Sequence, residues 1–82
     1  MRILIADDHD ANRHVMFRRL SRINYLWSVA EYSNAEDAVS AAKNQRFHLI
    51  IMEEQFGPGK MTGTEAIQAI LDSHSHGITT WC

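Results

Sequence analysis

The sequence predicts a domain of the α/β class, in which helices cover a parallel sheet. Three apolar runs of strand length alternate with segments whose apolar residues recur every three or four positions. This order, strand then helix repeated three times, is typical of parallel sheets with right-handed crossovers. A length of 82 residues is enough for one domain at most. The hydrophobic core should therefore be small.

The first strand and helix are predicted near the N-terminus. The run from Ile3 to Ala6 is continuously apolar, as in a strand that is buried on both faces. Asp10 is predicted to cap the following helix, because an aspartate carboxylate accepts the free N–H groups of a first turn. We expect this helix to span 11–23 and to bury one apolar stripe. The stripe consists of Val15, Met16, Leu20 and Ile23.

The second unit begins with a predicted strand over 26–32. Ser33 and Glu36 then match the Ser-x-x-Glu capping box, which predicts a helix over 35–44. Small residues on one face of that helix would let it lie close to the sheet. They are Ala38, Val39 and Ala42.

The third unit contains the most apolar strand, predicted over 49–52. A loop rich in glycine and proline follows over 55–61, and Thr62 and Glu65 form a second capping box. The helix that begins there should bury one apolar face. That face is Ala66, Ile67, Ile70 and Leu71. Residues 78–82 are predicted to begin a fourth strand.

Acidic residues directly follow two of the predicted strands. Asp7 and Asp8 end the first strand, and Glu53 and Glu54 end the third. In open α/β sheets, ligands bind in the crevice at the carboxyl ends of the strands. Because clustered carboxylates favour a hard cation, we predict a Mg²⁺ site at this edge, where Asp8 and Glu53 should meet.

Composition argues against several classes of protein. The single cysteine, Cys82, cannot form a disulfide within the chain, which favours a reducing, cytoplasmic compartment. No apolar stretch approaches the roughly 18 residues of a membrane helix, and the N-terminus does not resemble a signal peptide. Arg13, Arg18, Arg19 and Arg22 are interpreted as the solvated face of a helix. We therefore expect no membrane association and no direct binding to nucleic acid.

Several stretches together resemble a response-regulator receiver domain of two-component signalling. Residues 3–9 are similar to the family's first strand and acidic pair, and 49–53 to its third strand and phosphoacceptor. Asn12-Arg13 is also found in many hybrid-kinase receivers. Residues 61–66 resemble the motif that opens the family's third helix. The resemblance covers nearly the whole chain, from residue 2 to residue 71.

The resemblance implies a flavodoxin-like, three-layer fold with strand order 2-1-3. It also implies a Mg²⁺ ion bound by Asp8, by Glu53 and by the backbone carbonyl of Gln55. Asp7 would reach the ion through water. Glu53 would occupy the phosphoacceptor position.

Two departures from the family pattern bear on function. The family's phosphoacceptor is aspartate, and the longer stem of Glu53 moves the carboxylate by about 1–1.5 Å, enough to disturb in-line attack. In the family, such a glutamate partly mimics the phosphorylated state. The family also uses a Ser or Thr after strand 4 and a Lys after strand 5, whereas no lysine follows Lys60. We therefore predict a single partial receiver domain over 1–82, whose third strand forms an exposed edge.

The favoured function is a degenerate, truncated receiver domain of a phosphorelay, which acts mainly as a protein-interaction module and not as an enzyme. Expected partners are a histidine kinase, a phosphotransfer protein or an output domain, and the exposed sheet edge could support self-association. One alternative is a receiver that accepts a phosphoryl group on Glu53 with Mg²⁺. Another alternative is a non-functional fragment or a shortened gene model.

Overall fold

Strands and helices alternate along the chain, as the apolar pattern predicts. The structure is a computed structural model that describes residues 1–74 and the backbone of 79–81. The elements in chain order are β1 (Arg2–Ala6), α1 (Asp10–Ile23), β2 (Ser28–Tyr32), α2 (Ala35–Asn44), β3 (Leu49–Met52), α3 (Gly63–Ser73) and β4 (Thr79–Trp81). Residues 78 and 82 of the predicted fourth strand lie outside the described residues.

The strands form one parallel sheet in the order β2-β1-β3-β4. The predicted order 2-1-3 is therefore confirmed. The prediction that the third strand is an edge is wrong, because β4 pairs with β3 and places Leu49 opposite Thr79 and Ile51 opposite Trp81. Among the described strands, β2 and β4 are the outer ones.

The core lies on both faces of the sheet, because successive side chains of β1 point to opposite sides. Leu4 and Ala6 pack in the larger cluster, which α2 and α3 cover, whereas Ile3 and Ile5 pack beneath α1 around Leu20. Each of these four residues is at most 2 % exposed. The three-layer arrangement is therefore as predicted, and β1 is its central strand.

Some residues predicted to be buried are instead exposed. In α1, Leu20 is buried and Met16 packs against the same cluster, but Val15 and Ile23 are 48 % and 68 % exposed. The buried face of this helix therefore differs from the predicted apolar stripe. Phe17 packs against the cluster, whereas Val15 and Ile23 do not. Leu71 of α3 is likewise 40 % exposed.

The second strand starts two residues later than predicted. Leu26 lies in a turn, where its N–H donates to Asn24 Oδ1 at 3.0 Å, and the N–H of Trp27 donates to the carbonyl of Asn24 at 3.1 Å. These bonds hold the chain in a turn up to Ser28. Leu26 is consequently 73 % exposed and not part of the sheet.

The helix caps confirm one prediction and correct two. At α3 both bonds of the predicted capping box are present between Thr62 and Glu65. At α2 the cap is Asn34, whose Oδ1 accepts from the N–H of Asp37 at 2.7 Å, one residue later than the predicted Ser33. At α1 the cap position is His9, without a side-chain cap bond, so the predicted role of Asp10 is wrong.

The helices in the described part of the chain include none that combines the length and the hydropathy required to cross a membrane.

Candidate functional site

The acidic residues leave the sheet from adjacent strands. Ala6 and Met52 are register partners, so Asp7 and Glu53 each follow a paired strand end. The N–H of Glu53 donates to the carbonyl of Ala6 at 2.9 Å, which continues the ladder past β3. The N–H of Asp7 donates to the carbonyl of Tyr32 at 3.0 Å. Backbone hydrogen bonds to neighbouring strands therefore fix the main-chain positions of Asp7 and Glu53 at this edge of the sheet.

A cavity of about 260 Å³ opens at these strand ends. Its apolar part comes from the strands and from Met16 of α1, and its polar part from four residues. These are Asp7, Asn12, Arg13 and Glu53. Two of the four predicted metal residues, Asp7 and Glu53, are thus brought to one cavity. Asp8 and Gln55 are not among the residues that line it.

Asp8 forms a turn with its two neighbours. Asp7, Asp8 and His9 each have a possible ligand atom that lies within 4.8 Å of those of the other two residues. Asp7 Oδ1 accepts from the N–H of His9 at 2.8 Å, and His9 Nδ1 lies 3.0 Å from Asp8 Oδ1. The histidine was not predicted to take part, although its position next to the two acids was a usable signal.

The donor set of this turn fits Mg²⁺. The ion prefers carboxylate oxygens and keeps several waters, and the side chains of Asp7 and Asp8 are 16 % and 35 % exposed. Both can therefore reach a hydrated cation at the protein surface. The imidazole of His9 suits transition metals better than Mg²⁺, so it is a neighbour of the site and not an expected ligand.

Glu53 and Glu54 hold different positions after β3. Glu53 Oε1 accepts from the backbone N–H of Glu54 at 2.9 Å, so the carboxylate bends back towards its own chain. Glu54 Oε1 accepts from both the N–H and the hydroxyl of Thr64, each at 2.8 Å. Glu54 thus binds the first turn of α3, where the helix dipole favours an anion. Glu53 therefore lines the cavity, whereas Glu54 stabilises the start of α3.

Gly63 lets α3 start directly against the end of β3. Its N–H donates to the carbonyl of Glu54 at 2.8 Å. A Cβ at this position would lie 2.2 Å from the carbonyl oxygen of Glu53 and 3.0 Å from Glu54 Cα. No side chain fits in that space, so the absence of a Cβ sets how closely the helix approaches the candidate acceptor.

Arg13 turns inward from α1 and joins the ends of two strands. Nη1 donates to the carbonyl of Asp7 at 2.6 Å, Nη2 donates to Asp10 Oδ1 at 2.6 Å, and Nε lies 3.4 Å from Glu31 Oε1. Its side chain is 16 % exposed. The expectation that Arg13 shares a solvated face with Arg18 is therefore wrong.

Comparison with protein families gives one match to nearly the whole chain. The model of the response regulator receiver domain matches residues 3–81. The response regulator GacA of Pseudomonas protegens is 31% identical over 74 residues, which are 90% of this chain and 34% of that protein. The chain thus spans about a third of the length of this curated relative.

Solved structures share the fold. The receiver domain of the Arabidopsis thaliana histidine kinase CKI1 with an aspartate-to-glutamate substitution has a TM-score of 0.82 and 25% identity, over 96% of this chain and 60% of that one. The CKI1 receiver in complex with Mg²⁺ and BeF₃⁻ gives 0.80 and 22%, over 90% and 56% of the two chains. The receiver of the hybrid histidine kinase CckA gives 0.77 and 23%, over 99% and 83%.

Proposed function

Because the chain belongs to the response regulator receiver domain family of two-component signalling, we propose that it is a degenerate receiver, which binds signalling partners and accepts phosphoryl groups poorly. The observation that carries this proposal is the geometry of Glu53. It follows β3 at the predicted acceptor position and lines the cavity with Asp7. The Glu53 carboxylate thus places a negative charge at the acceptor position even when no phosphoryl group is attached.

The hydrogen bond from the N–H of Glu54 to Glu53 Oε1, at 2.9 Å, is one reason to expect that Glu53 is a weak phosphoacceptor. An acceptor oxygen must reach the phosphorus in line with the leaving group, and an error of about 1 Å can cost roughly 10²-fold in rate. The extra methylene of glutamate and this backbone bond both change where the carboxylate lies. Glu53 therefore acts mainly as a fixed negative charge.

The partners that we propose are those of a phosphorelay: a histidine kinase, a phosphotransfer protein or an output domain. The similar receivers of CckA and CKI1 belong to histidine kinases, whereas GacA is a response regulator, so both settings occur among relatives. Self-association would use an outer strand, β2 or β4, since β3 already pairs with β1 on one side and with β4 on the other.

Mg²⁺ is the proposed cofactor, with Asp7, Asp8 and Glu53 as ligands and the carbonyl of Gln55 as a further ligand implied by the family. The carboxylates of Asp7 and Asp8 lie close together, and the similar CKI1 receiver has been crystallised with Mg²⁺. When bound, the ion would supply positive charge that balances these acids and any phosphoryl oxygens.

The alternative is a receiver that does accept a phosphoryl group on Glu53. The shared cavity of Asp7 and Glu53 favours this possibility, because a potential nucleophile and a potential metal ligand both line it. In that reaction a Glu53 oxygen would bond to phosphorus. The phosphorus–nitrogen bond of a phosphohistidine would break, and the freed imidazole would take a proton from solvent.

Phosphorylation by acetyl phosphate separates the two functions. The wild type, Glu53→Asp and Glu53→Gln proteins are incubated with acetyl phosphate and Mg²⁺, and their intact masses are measured. We expect a gain of one phosphoryl mass for Glu53→Asp only. A gain in the wild type that Glu53→Gln abolishes would establish the phosphoaccepting alternative. No gain in any of the three proteins would contradict the assignment of position 53 as the acceptor position.

A further inference from the structure

Arg13 makes three polar contacts, with the backbone of Asp7, with Asp10 and with Glu31. The contact with Asp7 is to the carbonyl oxygen, so it acts on the main chain of the turn that carries the acids. Glu31 belongs to β2, so the guanidinium joins α1 to the ends of both β1 and β2. Arginine suits this position because its planar group offers several donors in a rigid arrangement.

The start of α1 is not held by a side-chain cap. Its cap residue, His9, makes no side-chain cap bond, although capping residues commonly stabilise a helix start by about 1 kcal/mol. His9 is also largely exposed, with 67 % of its side chain accessible. Arg13, which is mostly buried and lies in the first turn, adds side-chain contacts between this helix and the ends of β1 and β2.

We propose that Arg13 is a positioning residue, which fixes the backbone of the turn at Asp7 and Asp8 and thereby sets the affinity of that turn for Mg²⁺. The affinity part of this inference rests on the proposed Mg²⁺ site. Arg13 is not a metal ligand, since a guanidinium has no lone pair to offer a cation. It acts on the ligands through the main chain, as residues around a metal site commonly do.

Charge and position make opposite predictions for Mg²⁺ binding. As a positive charge next to the cavity, Arg13 would repel a divalent cation, and its removal would tighten binding. As a positioning residue, its removal would loosen the turn and weaken binding, and loss of such an outer contact commonly costs about 10- to 100-fold in metal affinity. The sign of the change therefore tells the two effects apart.

The test compares wild type, Arg13→Met, Arg13→Lys and Arg18→Met. Arg18→Met is the matched control, because it removes the same charge from an exposed position of the same helix. Arg13→Lys keeps the charge of Arg13 but loses the three-way contact. The first measurement is Mg²⁺ affinity by isothermal titration calorimetry. The second is hydrogen exchange at the amide of His9, which bonds to Asp7 Oδ1 and so reports on the turn.

We expect both Arg13 variants to bind Mg²⁺ about 10-fold more weakly and to exchange the His9 amide about 10-fold faster. Exchange at the buried Ile5 and both values for Arg18→Met should stay close to wild type. Tighter binding, unchanged His9 exchange, or a lysine variant equal to wild type would each overturn the inference. If wild type itself does not bind Mg²⁺, the proposed metal site fails and His9 exchange alone decides the role of Arg13.

Discussion

Replacing Gly63 with alanine should destabilise the protein and move the backbone of the candidate acceptor. The added Cβ would lie 2.2 Å from the Glu53 carbonyl oxygen, whereas ordinary contact begins near 3.4 Å. The other close atoms, the carbonyl carbon of Glu53 at 2.9 Å and Glu54 Cα at 3.0 Å, are also main chain. No side chain can rotate away, so α3 and the end of β3 must separate by about 1 Å.

The expected loss in the free energy of unfolding is about 2 kcal/mol. Inserting an atom into a packed position typically costs about 1–3 kcal/mol, and the backbone contacts at Gly63 place this case at the upper end. Alanine restricts the unfolded chain more than glycine does, which returns at most about 1 kcal/mol. For a domain of this size, the remaining loss corresponds to a fall in Tm of about 8–16 °C.

The assay is urea denaturation followed by circular dichroism, together with NMR amide shifts. Gly59→Ala is the control, because no atom lies within 4 Å of its added Cβ and only its φ of 73° disfavours alanine. We expect that control to lose about 1 kcal/mol and to leave the Glu53 amide shift unchanged. The reasoning is refuted if Gly63→Ala costs no more than Gly59→Ala. A wild type without a cooperative transition would favour the fragment hypothesis.

Two further predictions concern stability away from the cavity. Asn34→Ala should lower the free energy of unfolding by about 1 kcal/mol, because it removes the side-chain cap of α2. Equal urea midpoints for the variant and the wild type would contradict the stabilising role of this cap. Ile70→Ala should cost about 2–5 kcal/mol because Ile70 is fully buried, whereas Ile23→Ser should stay within about 0.5 kcal/mol because Ile23 is 68 % exposed. Similar losses at both positions in thermal melts would contradict the observed orientation of α1.

Local sequence signals predicted the elements that depend on near neighbours. The bounds of α2 and β3 and the capping box at Thr62 agree with the structure, because each follows from residues within one or two turns of each other. Errors arose where two neighbouring polar residues competed for one role. At α2 the cap is Asn34 instead of Ser33, since both side chains are able to accept the same kind of bond.

The sequence by itself determined the α/β class, the order of the elements and the acids at the ends of two strands, because periodicity and capping are local properties of the chain. Only the tertiary structure decided that β4 covers β3, that Asp7 and not Asp8 lines the cavity with Glu53, and that Arg13 turns inward. These outcomes depend on how closely distant segments approach each other. Such an approach is set by packing at contacts like the one between Gly63 and the end of β3.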